Sequence, residues 1–186
     1  MNHSFLEKNE SPGNALQLDL LIDAQKIKER LIYMVKEFES LYDGEELTFF
    51  VIMKGAFFLV SDLMRALNLP SRIEFITCTS TGMGGTHKGE LQFFGLETLD
   101  IEGKHILLVD DIFDTGDKLS EIYKEISRKH PLSLRSLVLL TKDVPHNTDY
   151  RPDFSLFDIE DRFVVGYGLD YKEYYRGLSS IYAIHP

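Results

Sequence analysis

The chain has 186 residues, of which 44% are hydrophobic and 27% are charged, and its formal net charge is −10. That length and balance fit one soluble globular domain, with or without a small flap. So acidic a chain, with no run of Lys or Arg, lacks the electrostatic footprint of a nucleic-acid binder. An anionic ligand would have to be held by local groups, backbone amides or a metal.

The single cysteine, Cys78, excludes an internal disulfide and a thiolate zinc site. It follows an apolar run, so we expect a buried and inert thiol. The N-terminal residues show no basic region followed by an apolar stretch, and so do not resemble a signal peptide. The longest apolar segment, residues 49–60, is too short to span a bilayer. We therefore expect a cytoplasmic protein without membrane contacts.

The N-terminal part of the chain predicts an arm and then a helix. Residues 1–15 contain Asn, Ser, Pro and Gly and predict a loose arm, followed by a single domain over residues 16–186. A helix begins near Asp23, because apolar residues recur at alternating spacings of three and four positions as far as Leu41, and Gly44 is expected to end it.

Strand and helix patterns then alternate along the chain. Further helices are predicted at residues 56–67 and 117–129, and strands at residues 47–53, 72–79, 105–109, 133–141 and 163–166. This order predicts an α/β fold with a mainly parallel, doubly wound sheet flanked by helices. Ligands bind such sheets beyond the carboxyl ends of the strands, so the chemistry should follow Met53, Val109 and Leu140.

Residues 80–89 interrupt this alternation. They are polar and rich in glycine, and they show no periodicity. We expect a long mobile loop of the kind that closes over a ligand.

The most informative segment of the chain reads LLVDDIFDTG. Adjacent carboxylates at the end of a buried strand, here Asp110 and Asp111, are unfavourable without a partner, and the two hydroxyls of a vicinal diol can donate to them. Asp114, Thr115 and Gly116 then lead into a helix N-terminus, whose free amides can hold a phosphate. Alone, each acid could be a loop residue or a simple helix cap. The whole pattern predicts a ribose 5-phosphate site.

This pattern resembles the signature of the type I phosphoribosyltransferases, which has two acidic residues, two apolar residues and then Asp-Thr-Gly. The resemblance covers about residues 45–182 and is closest to the hypoxanthine-guanine branch. Further matches are a pyrophosphate loop, a purine-reading lysine and a C-terminal signature, at residues 53–57, 141–142 and 163–176. The resemblance implies the type I fold, with a small hood built from the N- and C-terminal parts and a mobile flap loop.

The resemblance implies binding roles for the phosphoribosyl donor, 5-phosphoribosyl-1-pyrophosphate. Asp110 and Asp111 would bind the ribose hydroxyls. The 5-phosphate would be held by Thr115 and Gly116, with a charged contact from Lys118.

Pyrophosphate would be bound by Lys54, Gly55 and Arg176. The Met53–Lys54 bond is a candidate non-proline cis peptide, a feature found mostly at functional sites.

The purine would be read by a second group of residues. Asp114 would face N7 as general base or as a stabilising hydrogen-bond partner, and Lys142 would donate to the 6-oxo group. Phe163 would stack on the base and Val164 would contact its edge through the backbone. Asp170 would lie near the purine amino group and near a metal.

The reaction implied joins hypoxanthine or guanine to the donor, forming IMP or GMP and pyrophosphate. The cofactor implied is Mg²⁺, near Asp110, Asp111 and Asp170, since magnesium prefers oxygen ligands and binds through a few carboxylates plus the substrate's phosphates. It would also let an acidic chain hold an anionic substrate. The family further implies a homodimer or homotetramer, with the Lys54 region near an interface.

The chain departs from the family pattern at two places. Asp117 and Lys118 stand where relatives commonly have lysine or asparagine and then threonine, and residues 79–81 lack the tyrosine that often begins the flap. Two alternative functions stay open. One is an enzyme selective for hypoxanthine or xanthine, because a lysine at position 142 does not distinguish among oxopurines. The other, suggested by the departure at Asp117 and Lys118, is a regulatory protein of this fold that senses the donor or binds RNA.

Overall fold

The computed structural model describes residues 17–81 and 90–185. The predicted N-terminal arm lies outside the described residues, and so does the predicted flap loop from residue 82 onward. The helices and strands are, in chain order, β1 (Asp19–Ile22), α1 (Ala24–Tyr42), β2 (Leu47–Met53), α2 (Phe57–Ala66), β3 (Ser71–Thr81), β4 (Glu90–Phe94), β5 (His105–Phe113), α3 (Asp117–Ser127), β6 (Ser133–Lys142), β7 (Phe154–Ile159), β8 (Phe163–Val165) and β9 (Ile181–Ile184).

The main sheet has six strands in the order β4-β3-β2-β5-β6-β7. All neighbouring pairs are parallel except β3 with β4. Strands β2, β5 and β6 are adjacent and parallel near the centre of the sheet, so their carboxyl ends lie side by side at one edge. The predicted mainly parallel α/β sheet is confirmed.

The core lies on both faces of this sheet, which is why β2 reads as a continuous apolar run. Successive strand side chains point to opposite faces. Phe49 and Val51 pack in one cluster with the apolar sides of α1 and α2. Phe50 and Ile52 pack in a second cluster with α3. The sheet edge that carries polar residues is thereby fixed between two helical layers.

A second, antiparallel sheet has three strands in the order β1-β9-β8. It combines the N-terminal and C-terminal parts of the described chain, as predicted for the hood. The backbone N–H of Ala24 donates to the Ser180 hydroxyl at 3.0 Å, which ties the start of α1 to this sheet.

Several details differ from the sequence-based expectations. Helix α1 buries Tyr42 and leaves Leu41 43% exposed, and its C-cap is Asp43 in the left-handed conformation. Strand β5 continues four residues past Val109 to Phe113. The short strands β1, β4, β7 and β9 were not predicted, because their pairing depends on distant partners rather than on local pattern.

Two sequence-based expectations concern burial and membranes. Cys78 is only half-buried, and burial raises the pKa of its thiol, which disfavours the reactive thiolate. Within the described ranges, no helix combines the length and the apolar character needed to cross a bilayer.

Candidate active site

The predicted site residues follow the carboxyl ends of adjacent strands. Parallel register pairs Val51 of β2 with Val109 of β5, and Asp110 of β5 with Val138 of β6. The segments that begin after Met53, after Val109 and at Thr141 therefore open onto one edge of the sheet, as predicted.

The acidic pair of β5 is neutralised by a lysine of α3. Asp110 is only 1% exposed, and the Lys118 ammonium nitrogen lies 2.7 Å and 2.9 Å from its two carboxylate oxygens. The same nitrogen is 3.8 Å from Oδ1 of Asp111, whose backbone N–H donates to Asp110 at 3.0 Å. The predicted diol-binding carboxylates are thus paired with the residue that departs most from the family pattern.

Burial and charge act against each other in this cluster. Burial raises the pKa of Asp110, and the Lys118 ammonium opposes that rise. Burial also opposes the charged form of Lys118, but the carboxylates of Asp110 and Asp111 more than offset it, so the pKa of the lysine is raised. The lysine is therefore the fixed charge of the group.

The predicted phosphate loop surrounds a cavity of about 120 Å³ at the N-terminus of α3. Gly116 caps the helix with φ +87°. The Thr115 hydroxyl donates to Asp117 at 3.2 Å, and the Asn147 side chain donates to the same carboxylate oxygen at 2.7 Å. Lys118 lines the cavity. The two residues that depart from the family pattern in this loop thus have different surroundings: Asp117 is held by Asn147, and Lys118 lines the cavity.

The predicted pyrophosphate loop packs tightly against Asp111 on one side and against Gly168 of the C-terminal segment on the other. The Met53–Lys54 peptide bond is cis, as predicted. A Cβ on Gly55 would lie 1.7 Å from Oδ2 of Asp111, and one on Gly168 would lie 2.0 Å from the carbonyl oxygen of Gly55. Only glycine permits these approaches.

The predicted pyrophosphate ligands are paired with carboxylates of the C-terminal segment. One oxygen of Glu173 is 3.0 Å from the Lys54 ammonium and 3.3 Å from Nη2 of Arg176. These hydrogen bonds lower the pKa of Glu173. Nη2 of Arg176 also lies 2.7 Å from Asp170, whose other oxygen accepts the backbone N–H of Glu173 at 2.8 Å. Glu173 itself has φ +69°.

Arg176 is fixed further by the backbone. Its Nη1 donates to the carbonyl oxygen of Gly168 at 2.7 Å. Its Nε is buried and meets no acceptor among the described residues. A buried donor without a partner is a candidate contact for an incoming anion.

Four of the predicted purine-reading residues come from three parts of the chain: Lys142 ends β6, Asp114 follows β5, and Phe163 and Val164 begin β8. The Lys142 side chain is 13% exposed, and its ammonium is 3.0 Å from Asp161 and 4.0 Å from Asp114. Phe163 is 46% exposed and meets Tyr171 edge-to-face at 5.6 Å, whereas Val164 is buried. The exposure of Phe163 fits a stacking platform better than a core residue.

That Asp110, Asp111 and Asp170 bind a metal together with the substrate's phosphates stays a prediction. The described residues contain no group of three or more His, Cys, Asp or Glu side chains that could hold a metal. Asp170 is instead bound by Arg176 and by the backbone of Glu173. Asp110 and Asp111 are the adjacent pair of oxygen donors at the sheet edge.

Sequence reasoning gave no role to Asp161, and it placed Glu173 within the C-terminal match without a role of its own. Each is a charged residue in a connecting segment, where solvated charges are common. Their partners are 19 and 119 residues distant in sequence. The one available signal was the position of Asp161 two residues before Phe163.

Comparison with known proteins gives a consistent result. The family model of the phosphoribosyl transferase domain matches residues 21–172. The chain is 40% identical over 169 residues to the hypoxanthine-guanine phosphoribosyltransferase of Aquifex aeolicus, covering 90% of this chain and 95% of that protein. It is 32% identical to the hypoxanthine phosphoribosyltransferase of Haemophilus influenzae, covering 88% and 93%.

Solved structures show the same fold. A Trypanosoma cruzi hypoxanthine phosphoribosyltransferase variant, in a ternary complex with substrates, is similar with a TM-score of 0.83 and 32% identity, covering 92% of this chain and 96% of that chain. A Bacillus anthracis hypoxanthine-guanine phosphoribosyltransferase also gives a TM-score of 0.83, with 27% identity, covering 92% and 99%.

The ion pair between Lys118 and Asp110 should contribute to stability. We expect Lys118→Met to lower the free energy of unfolding by about 2 kcal/mol, less than the ~3–5 kcal/mol of a fully buried pair, because 34% of the lysine side chain is exposed. The loss should be larger at about pH 8 than at about pH 5, since the folded variant must keep Asp110 protonated or bury its charge. Urea unfolding at both pH values measures this.

The matched control is Lys124→Met, which removes an exposed lysine of the same helix. It should change stability by less than about 0.5 kcal/mol. Equal losses in the two variants would contradict a stabilising role for the pair.

Proposed function

This chain belongs to the phosphoribosyltransferase family, in the hypoxanthine-guanine branch, and from that premise we propose that it is a purine salvage transferase. It joins hypoxanthine or guanine to 5-phosphoribosyl-1-pyrophosphate, forming IMP or GMP and pyrophosphate. The observation that carries this proposal is one sheet edge holding the buried Asp110 next to Asp111, a cavity at a helix N-terminus and a lysine beside Asp114.

The donor occupies the β5–α3 connection. Its two ribose hydroxyls donate to Asp110 and Asp111, and its 5-phosphate lies in the cavity at the start of α3, where amide groups and the positive end of the helix dipole favour an anion. Thr115, Gly116 and Lys118 complete the phosphate site. The Lys118 ammonium, already within the cavity lining, supplies charge where relatives commonly supply a threonine hydroxyl.

Pyrophosphate is held on the other side of the acidic pair. Gly55 leaves no room for a side chain beside Asp111, so the loop backbone lies directly against the donor site. Lys54 and Arg176 supply positive charge, and the N–H at the buried Nε of Arg176 donates a hydrogen bond to an oxygen of the leaving group.

The purine binds between the main and smaller sheets. Phe163 stacks on the ring, Val164 contacts its edge through the backbone, and Lys142 donates to the 6-oxo group. Asp114 faces N7, and Asp170 lies near the purine amino group. The 4.0 Å separation between Lys142 and Asp114 matches groups that contact neighbouring atoms of one small ring system.

The reaction is a displacement at C1 of the ribose. A purine ring nitrogen forms a bond to C1, the bond from C1 to pyrophosphate breaks, and the purine gives up one proton that Asp114 accepts or stabilises by hydrogen bonding. Positive charge develops on the sugar and negative charge on the leaving group. Catalysis therefore depends on alignment of the purine and on cations placed around pyrophosphate.

Magnesium fits the donor set of this site. Asp110 and Asp111 would hold the ion through carboxylate oxygens, with waters and substrate oxygens as its other ligands. When bound, the metal neutralises charge on the donor's pyrophosphate. Asp170, held by Arg176, lies on the pyrophosphate side.

A homodimer or homotetramer forms part of the proposal. Its support is apolar surface near the pyrophosphate loop: Phe57, at the start of α2, is 42% exposed, and Ile32 on α1 is 45% exposed. The same two helices line a cavity of about 520 Å³ with residues of the C-terminal segment.

A substrate panel tests the activity. Purified chain with Mg²⁺ and the donor should release pyrophosphate with hypoxanthine or guanine, tested separately, and not with adenine, because Lys142 favours an oxygen at position 6. Xanthine in the same assay measures the preference among oxopurines. If no purine supports turnover while RNA binds in a salt-dependent manner, the chain is a regulator of this fold instead.

Asp114→Asn tests the proton-accepting group. Turnover should fall ~10²–10⁴-fold, the usual contribution of a general base, while donor affinity changes little because the donor sites are intact. Steady-state kinetics and calorimetric titration of the donor measure the two effects. Asp149→Asn, which changes an exposed carboxylate of the β6–β7 connection, is the control. Near-normal turnover of Asp114→Asn would remove this residue from the mechanism.

Lys142→Met tests the donor to the 6-oxo group. The KM for hypoxanthine should rise about tenfold, the effect of losing a hydrogen bond to a charged group, whereas the KM for the donor should not change. Lys36→Met, on the exposed side of α1, controls for the loss of one lysine charge. Unchanged purine kinetics would refute the proposed contact.

A further inference from the structure

Lys142 lies between two carboxylates of different surroundings. Its ammonium hydrogen-bonds to Oδ1 of Asp161 at 3.0 Å, while Oδ2 of Asp114 is 4.0 Å away. The lysine is 13% exposed, whereas Asp161 is 69% exposed and Asp114 is 52% exposed. The ammonium of Lys142 thus lies near two carboxylates, of which that of Asp161 is the closer.

The position of Asp161 is fixed by the backbone rather than by its own burial. Strands β6 and β7 pair in parallel with Lys142 opposite Ile159, and the N–H of Asp143 donates to the carbonyl oxygen of Ile159 at 2.8 Å. The chain then reaches Phe163, at the start of β8, within four residues. Asp161 therefore lies in the short link between β7 of the main sheet and β8 of the smaller sheet, which begins at Phe163.

The two carboxylates compete for the same ammonium. An ammonium has three donors, and the hydrogen bond to Asp161 uses one of them. If Asp161 were neutral, Asp114 would be the nearest carboxylate to Lys142. An ion pair between those two would occupy the group that accepts the purine proton and the group that donates to the 6-oxo oxygen.

We propose that Asp161 is a positioning residue for the recognition of 6-oxopurines, which rests on the proposed function. Its carboxylate holds the Lys142 ammonium away from Asp114 and directs the remaining donors toward the oxygen at position 6 of the base. Asp161 contacts no substrate atom and acts through the lysine.

Nucleotide binding tests the proposal without turnover. Calorimetric titration of IMP and of AMP gives the ratio of the two affinities, which reports the donor to position 6. In Asp161→Asn this ratio should fall about tenfold, as for a lost hydrogen bond to a charged group, by weaker binding of IMP with AMP unchanged. Turnover of hypoxanthine should fall as well, with the donor KM unaltered.

Two further variants make the test specific. Asp161→Glu keeps the charge and should restore most of the IMP preference. Glu160→Gln removes an exposed carboxylate one residue away and should leave the ratio and the turnover unchanged. A wild-type IMP preference in Asp161→Asn, or an equal loss in Glu160→Gln, would overturn the role of Asp161. A wild-type chain without any preference for IMP would overturn the proposed function, and this inference with it.

Discussion

The site depends on the neutralisation of a carboxylate that the fold buries. Asp110 ends the apolar part of β5 and is almost inaccessible to water, so its charge needs a partner within the protein. Lys118, two residues after the glycine that caps α3, supplies it. This contact fixes the start of α3 relative to β5, and with it the cavity at the helix N-terminus.

The same pairing recurs at each cation of the site. Lys54 meets Glu173, Arg176 meets Asp170 and Lys142 meets Asp161, so every lysine or arginine predicted to bind substrate has an acidic partner within 3.0 Å or less. The acidic partners hold these cations in position and also offset their positive charge, so an anionic substrate would have to displace some of these contacts. Phosphates and ribose hydroxyls would exchange places with side chains already held in position.

The smaller sheet carries the residue proposed to stack on the purine. Phe163 begins β8 of that sheet, whereas Lys142 ends β6 of the main sheet. The glycines at positions 55 and 168 let the pyrophosphate loop contact both Asp111 and the C-terminal segment. The candidate site is thus assembled from the connections β2–α2, β5–α3 and β8–β9 and from residues of β6 and β8.

Local pattern in the amino-acid sequence was enough to determine the alternation of strands and helices, the strand ends that carry chemistry and the acidic segment of β5, because burial on both faces and helix starts leave periodic and compositional signals. The strands β1, β4, β7 and β9 and the partners Glu173 and Asp161 left no such signal. Their pairing depends on register between segments distant in sequence. Only the tertiary structure decided which carboxylate each cation meets, because the sequence around a charged loop residue does not show which distant part of the chain lies beside it.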